Sequence, residues 1–260
     1  MEFTKDYILE AENLTKIYNQ GMSDETVALD HINLAIDEED FVCIMGPSGS
    51  GKTTLINCLS TLDKPTSGKV FINGENVLAM TSRVISKYRY ENLGYVFQSN
   101  NLIDSMNVYD NIVAPLILAK VDQKIIDQKV KEMAEKLNIS HLLSHSTEHC
   151  SGGERQRISI CRALITSPKL IVADEPTGNL DSKNSHELMS IFKQLNEEGK
   201  TLLIVTHDPM IASYSKRLVY VHDGKIQTIL ERKNKSQQDY FNEIVNINAG
   251  DYIKMFFLNK

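Results

Sequence analysis

Tryptophan is absent from the 260 residues, proline occurs only 6 times, and the 4 cysteines (Cys43, Cys58, Cys150 and Cys161) are nowhere spaced as C-x-x-C. Without that spacing they form no zinc-ribbon or dithiol motif, and they read as small core hydrophobes of a reducing compartment. Long apolar runs are lacking as well. The longest, Ile112 to Ala119, is broken by Pro115 and falls far short of the roughly 20 residues of a membrane helix, so the chain is expected not to span a bilayer. Met1-Glu2-Phe3-Thr4-Lys5-Asp6 carries two acids and no apolar core, so a secretory signal is not expected and a cytoplasmic location is. Excess positive charge is also missing: 28 Lys and Arg against 34 Asp and Glu leave a net charge of -6. No basic field exists to draw the chain onto nucleic acid, which is not expected as a partner. What is present, 24% charged and 42% hydrophobic residues, is the composition of a folded globular chain of one large or two small domains.

Two β-rich runs, Tyr7 to Tyr18 and Val27 to Ile36, flank the turn-forming Asn19-Gln20-Gly21-Met22-Ser23-Asp24 and predict an N-terminal antiparallel pair. Three short all-apolar runs follow: Phe41 to Met45, Leu170 to Ala173 and Leu202 to Val205. Each reads as a strand buried on both faces of a parallel sheet. Their C-terminal ends carry Gly46, Asp174-Glu175 and Thr206-His207, and that edge is where open α/β sheets bind ligands. Between the first and second runs the chain looks largely helical. Over Asp122 to Asn138, Ile125, Ile126, Val130, Met133, Ala134 and Leu137 recur at helical spacing, which predicts an inserted helical subdomain over about 99–165. The polar stretch Arg232 to Ser236 then separates residues 1–230 from a tail, 231–260, in which Tyr240, Phe241, Ile244 and Val245 share one helix face.

Gly46-Pro47-Ser48-Gly49-Ser50-Gly51-Lys52-Thr53 matches G-x-x-x-x-G-K-[ST] in full, directly after a strand and before the apolar-periodic Leu55, Ile56 and Leu59. Glycines let the backbone curl so that amides point at phosphates, the helix N-terminus adds positive charge, Lys52 adds a full one, and Thr53 offers a hydroxyl to Mg²⁺. This motif alone leaves kinase, GTPase, motor and transport ATPase open. A GTPase would need N-K-x-D, and both Asn-Lys pairs, Asn234-Lys235 and Asn259-Lys260, lack the Asp.

Cys150-Ser151-Gly152-Gly153-Glu154-Arg155-Gln156-Arg157 resembles the L-S-G-G-Q signature of ATP-binding-cassette (ABC) ATPases, with Cys for Leu and Glu for Gln. S-G-G-E is similar to the variant of the macrolide-exporter, lipoprotein-release and cell-division group. In the expected order, Tyr18 resembles the aromatic that stacks on adenine, and Gln98 the glutamine that senses the metal. Asp174-Glu175 resembles the Walker B acids, Asn179-Leu180-Asp181 the D-loop, and His207 the switch histidine. Thr206-His207-Asp208-Pro209 followed by Ala212-Ser213-Tyr214-Ser215 is similar to the ATPases of bacitracin-type peptide resistance.

The resemblance implies an α/β P-loop NTPase fold: a RecA-like parallel core with an antiparallel β subdomain and an inserted helical one. It implies ATP and Mg²⁺, held by Tyr18, Gly46 to Thr54, Ser151 to Glu154 and Asp181, with Thr53, Gln98 and Asp174 at the metal and Glu175, His207 and Gln98 in catalysis. It further implies a head-to-tail dimer sandwiching two ATPs and an integral membrane permease, docked near Gln98 to Val108, on the inner face of the membrane. Leu102-Ile103-Asp104 replaces the usual L-L-P there. Antimicrobial-peptide export or resistance is the expected role; signalling to a cell-wall hydrolase or a sensor kinase, or lipoprotein release, is the alternative. Ser151-x-x-Glu154 is also a capping box by spacing. His141, His145 and His149 beside Cys150 read as an irregular loop rather than a zinc site, since Ser144, Ser146 and Thr147 break the helical pattern. Arg155, Arg157 and Arg162 read as a solvated or dimer-facing surface.

Overall fold

The computed structural model describes residues 7–253; the reading of Met1 to Asp6 and the last part of the tail lie outside the described residues. The elements run β1 (Leu9–Tyr18), β2 (Thr26–Ile36), β3 (Phe41–Met45), α1 (Lys52–Leu59), β4 (Ser67–Ile72), β5 (Glu75–Asn76), α2 (Ser82–Asn92) and β6 (Leu93–Val96). They continue through α3 (Val108–Leu118), α4 (Gln123–Lys136), α5 (Gly152–Leu164), β7 (Leu170–Asp174), α6 (Ser182–Glu197) and β8 (Thr201–Val205). The chain closes with α7 (Pro209–Ala212), β9 (Arg217–His222), β10 (Lys225–Glu231) and α8 (Gln237–Ile253). No helix among the described residues is long and apolar enough to cross a membrane.

Two sheets form, in the orders β2-β1-β4-β5 and β10-β9-β3-β8-β7-β6. The first is antiparallel; in the second only β10 runs against its neighbour. Strand β3 is apolar at all five positions because it is covered on both sides. Val42 and Ile44 pack with Leu55, Ile56 and Leu59 of α1 and with the antiparallel sheet. Phe41 joins the helices α3 to α6 in a second core, while Cys43 and Met45 meet Tyr240 and Ile244 of α8 in a third. Side chains alternate along a strand, so one five-residue run serves three clusters. The rod α1 is thereby clamped between the sheets, fixing the direction in which its first turn points.

The stretch between β3 and β7, read as largely helical, holds α1 to α5 and also strands that the reading did not place: Ser67–Ile72 completes the antiparallel sheet, and Leu93–Val96 forms the edge of the parallel one, paired to Leu170 through Ala173. Four residues following a helix without a break carry no readable period. Helices α3, α4 and α5 share one core, and Ile126, Val130 and Ala134 of α4 are buried as the periodicity predicted, whereas Ile125 is half exposed. In the tail, Tyr240 and Ile244 are wholly buried, and Phe241 and Val245 only partly.

Candidate functional site

The loop 46–51 is wedged between two strands. A side-chain carbon at Gly46 (φ +155°) would stand 1.9 Å from the Val221 carbonyl oxygen, and one at Gly51 (φ +98°) 2.3 Å from that of Ala28. Only glycine meets both the space and the left-handed backbone, so the loop's path is set by the scaffold. Helices α3 to α7 each start on a side-chain cap, from Asn107, Asp122, Ser151, Asp181 and Asp208. Helix α2 has no side-chain cap at Thr81, and helix α1 starts on Gly51, likewise without one. Its first amides and its positive dipole end are left for an anion.

Lys52 is the first residue of α1 and is buried. Its Nζ donates to the Gly46 carbonyl at 2.9 Å and the Pro47 carbonyl at 2.7 Å, using two of its three protons. Burial lowers its pKa, partly offset by Glu175 and Asp174. The exposed residues Ser48, Gly49 and Thr53 complete the rim, Ser50 is buried, and Thr54 is half buried.

The two acids lie at the end of β7 opposite this loop. Burial raises the Asp174 pKa, its neighbour Glu175 raises it further, and contacts from Thr53 and Lys52 pull the other way. One Asp174 oxygen, Oδ1, is buried without a hydrogen-bond partner. An orphan carboxylate oxygen beside a Thr hydroxyl suits a hard cation that takes oxygen ligands. Among the described residues no three His, Cys, Asp or Glu side chains converge on a metal position, so a cation here would lean on hydroxyl, amide, phosphate and water oxygens, as Mg²⁺ does.

Glu175 follows in a left-handed conformation, φ +46°, its amide donating to the Val205 carbonyl at 2.9 Å. This bond ties the start of the loop after β7 to β8. Its Oε1 lies 2.8 Å from His207 Nδ1, and its Oε2 accepts from the Thr206 hydroxyl at 3.2 Å. A carboxylate only accepts, so Nδ1 carries the proton and Nε2 points its chemistry elsewhere. Thr206 in turn accepts from the Asp208 amide at 3.1 Å, and Asp208 caps α7. The carboxylate is 13% exposed and the imidazole 74% exposed.

The signature residues form a second group. Ser151 Oγ accepts from the Glu154 amide at 3.3 Å and Glu154 Oε2 accepts from the Ser151 amide at 2.7 Å, a complete capping box that opens α5. Bonds from the Ser151 amide and the Ser151 side chain hold the Glu154 carboxyl below its ordinary range. Gly152 and Gly153 stand against the 179–180 loop; a side-chain carbon added at Gly153 would lie 3.3 Å from Leu180 Cδ2. Asp181 caps α6, its carboxyl held low by the backbone and side chain of Asn184. Gln98 has an exposed side chain, and its carbonyl accepts from Asn179 Nδ2 at 3.2 Å, which joins the two loops.

The arginines of α5 are not a free solvated surface. Arg157 donates to Asn184, to Glu187 and to the Leu137 carbonyl. Arg162 binds the carbonyls of Asn100 and Asn101 at 2.9 and 2.8 Å, and Arg155 pairs with Asp104 at 3.2 Å. Arg155 and Arg162 tie α5 to the loop after Gln98, and Arg157 ties it to the end of α4 and to α6. Asp104, standing where the family pattern has proline, thus has a partner of its own.

All four cysteines are free and buried. Burial pushes the Cys58 thiol up to about 12, and burial together with Glu154 raises Cys150, against a smaller opposing pull from Arg155. Cys150, 8% exposed, donates its S–H to the Ser146 carbonyl at 3.6 Å. Thiolate is the reactive form, so Cys150 is expected to label slowly at neutral pH. Mass spectrometry of the native chain after brief maleimide treatment checks this, and stoichiometric labelling of Cys150 would contradict it.

The ABC transporter family model matches residues 29–178. The uncharacterized ABC transporter ATP-binding protein YvcR of Bacillus subtilis is 42% identical over 250 residues, 94% of this chain and 96% of that one. The bacitracin export ATP-binding protein BceA of Halalkalibacterium halodurans is 41% identical over 239 residues, 92% and 94% of the two chains. Among solved structures, a dimeric post-hydrolysis state of the ATP-binding cassette MJ0796 of Methanocaldococcus jannaschii, bound to ADP and Pi, superposes with a TM-score of 0.82 at 36% identity, over 87% of this chain and 99% of that one. Matches this long and this similar reach past a shared fold: the chain belongs to the ABC transporter family, as an ATP-hydrolysing, ATP-binding subunit.

Proposed function

We propose that this subunit binds MgATP on the 46–54 loop and drives a separate membrane permease that exports antimicrobial peptides of the bacitracin kind or confers resistance to them. The uncapped start of α1, with Lys52 beneath the glycine loop and the Asp174–Glu175 edge facing it, carries the nucleotide reading. The likeness to the bacitracin export protein along 92% of the chain carries the peptide reading.

Lys52 and the α1 amides neutralise the β- and γ-phosphates, and Tyr18 offers its ring to the base. Thr53, Gln98 and Asp174 would hold Mg²⁺, which when bound neutralises phosphate charge and polarises the transferred group. Glu175 takes a proton from the attacking water, and His207 and Thr206 hold its two oxygens so that one carboxylate orientation is populated. Hydrolysis on this account is positioning plus electrostatics.

Ser151, Gly152, Gly153 and Asp181 face a second copy of the chain, and two head-to-tail copies enclose two nucleotides. The permease receives the motion at the loop after Gln98, and the subunit sits at the cytoplasmic face of the membrane through it. Residues 1–230 form the ATPase unit, and the tail packs on it through Tyr240.

Lys52→Ala tests the nucleotide reading. Loss of a charged donor to phosphate is worth about 1.5–3 kcal/mol, so the ATP dissociation constant is expected to rise about 10- to 150-fold by titration calorimetry, with the melting temperature near wild type. Unchanged affinity and turnover would defeat the loop assignment.

A further inference from the structure

Tyr18 is the last residue of β1 and 39% exposed, a position at which a ring would ordinarily be free to rotate. Here it is tethered. Its hydroxyl donates to Asp63 Oδ2 at 2.9 Å and also interacts with the Thr54 side chain. Asp63 is itself fixed: its Oδ1 accepts from Lys16 Nζ at 2.7 Å and from the Lys64 amide at 2.7 Å. Its own amide donates to the Asn57 carbonyl at 3.1 Å, which closes the turn after α1. Lys16, two residues before Tyr18 and so on the same face of β1, also donates to the Lys64 carbonyl at 2.8 Å. Its ammonium stands over the Tyr18 ring, 4.8 Å from the centroid. One face of the ring is thus occupied by a cation, and the residue keeps exposed surface on which a flat ligand group can stack.

We propose that Asp63 is a positioning residue for nucleotide binding: held by Lys16 on the turn that ends α1, it receives the Tyr18 hydroxyl and presents the ring, already oriented, to the base of the nucleotide whose phosphates lie at the start of the same helix. The inference rests on the nucleotide reading above. Its physical content is preorganisation. A ring that must be immobilised on binding costs affinity, and a ring fixed beforehand does not. Because α1 carries the phosphate loop at one end and Asp63 just past the other, the platform and the cradle move as one body.

The test compares ATP with inorganic tripolyphosphate, which has phosphates and no base. In Asp63→Ala, the ATP dissociation constant and KM are expected to rise about three- to tenfold, the scale of one freed side chain, while kcat and the affinity for tripolyphosphate stay near wild type. Tyr18→Phe removes the same bond from the other side, so it should give a similar shift, and the double variant no more than either alone. Asp63→Asn keeps its oxygen for Lys16 and Lys64 and turns an amide donor toward the Tyr18 oxygen, so it should recover part of the loss, which guards against a fold defect in the alanine variant. Equal losses for ATP and tripolyphosphate would overturn the proposal, because the damage would then lie in the phosphate loop. So would wild-type ATP affinity in both Asp63 variants. A wild-type chain that binds neither compound would instead defeat the nucleotide reading itself.

Discussion

Replacing Glu175 by glutamine is expected to cut steady-state ATP turnover by about 10² to 10⁴, the usual contribution of a positioned general base, while leaving nucleotide affinity within a few-fold of wild type. The substitution keeps the shape of the side chain. Oε1 faces His207 Nδ1 and Oε2 faces the Thr206 hydroxyl, and both neighbours act as donors toward a carboxylate. Glutamine places an amide against one of them. Thr206 can accept that amide with a spare lone pair, since its oxygen now accepts only from the Asp208 amide. The local fold therefore survives. What disappears is the ability to take a proton from water, so the loss falls on kcat. Phosphate release at saturating ATP and Mg²⁺ measures it, and turnover within threefold of wild type would require a different base.

Most of the candidate site was legible because phosphate chemistry constrains sequence at short range. Gly46 to Thr53 is one contiguous loop, and Asp174-Glu175 and Thr206-His207 end buried apolar strands that stand out by composition alone. The capping box at Ser151 was readable for the same reason, its partners being three residues apart. Features built from distant residues were not. Asp63 lies 45 positions from Tyr18, and Arg162 lies 61 and 62 positions from the carbonyls of Asn101 and Asn100 that it binds; no spacing rule connects them. The left-handed backbone of Glu175 was equally hidden, since glutamate carries no preference for it.

The fold divides along the same line. Strands β3, β7 and β8 are buried on both faces and announce themselves. Strand β6 has four residues, one of them Gly94, where a side-chain carbon would stand 2.5 Å from the Ala163 carbonyl. Its glycine serves the approach of α5 rather than any strand propensity, so the residue that makes the packing possible is the one that hides the strand.

In the Glu175→Gln background, ATP is expected to convert the chain from monomer to dimer, with a light-scattering mass near twice 29.4 kDa, while ADP leaves one subunit's mass. The reason lies in the bonding of Ser151. Its oxygen accepts from the Glu154 amide within the capping box, and its hydroxyl proton, which in the free chain serves the Glu154 carboxylate, can turn to an outside acceptor of higher negative charge. Ser151 and Gly152 are exposed, so a γ-phosphate held by Lys52 of another copy can be that acceptor, and ADP has none to offer. Adding Ser151→Arg should abolish the ATP dimer by placing bulk and charge on the contact surface. Loss of the serine cap costs α5 about 1 kcal/mol, small against the roughly 5–15 kcal/mol of a typical domain, so each monomer should still fold and bind ATP. A double variant that binds ATP and still dimerises would show that Ser151 to Glu154 serves only to start a helix.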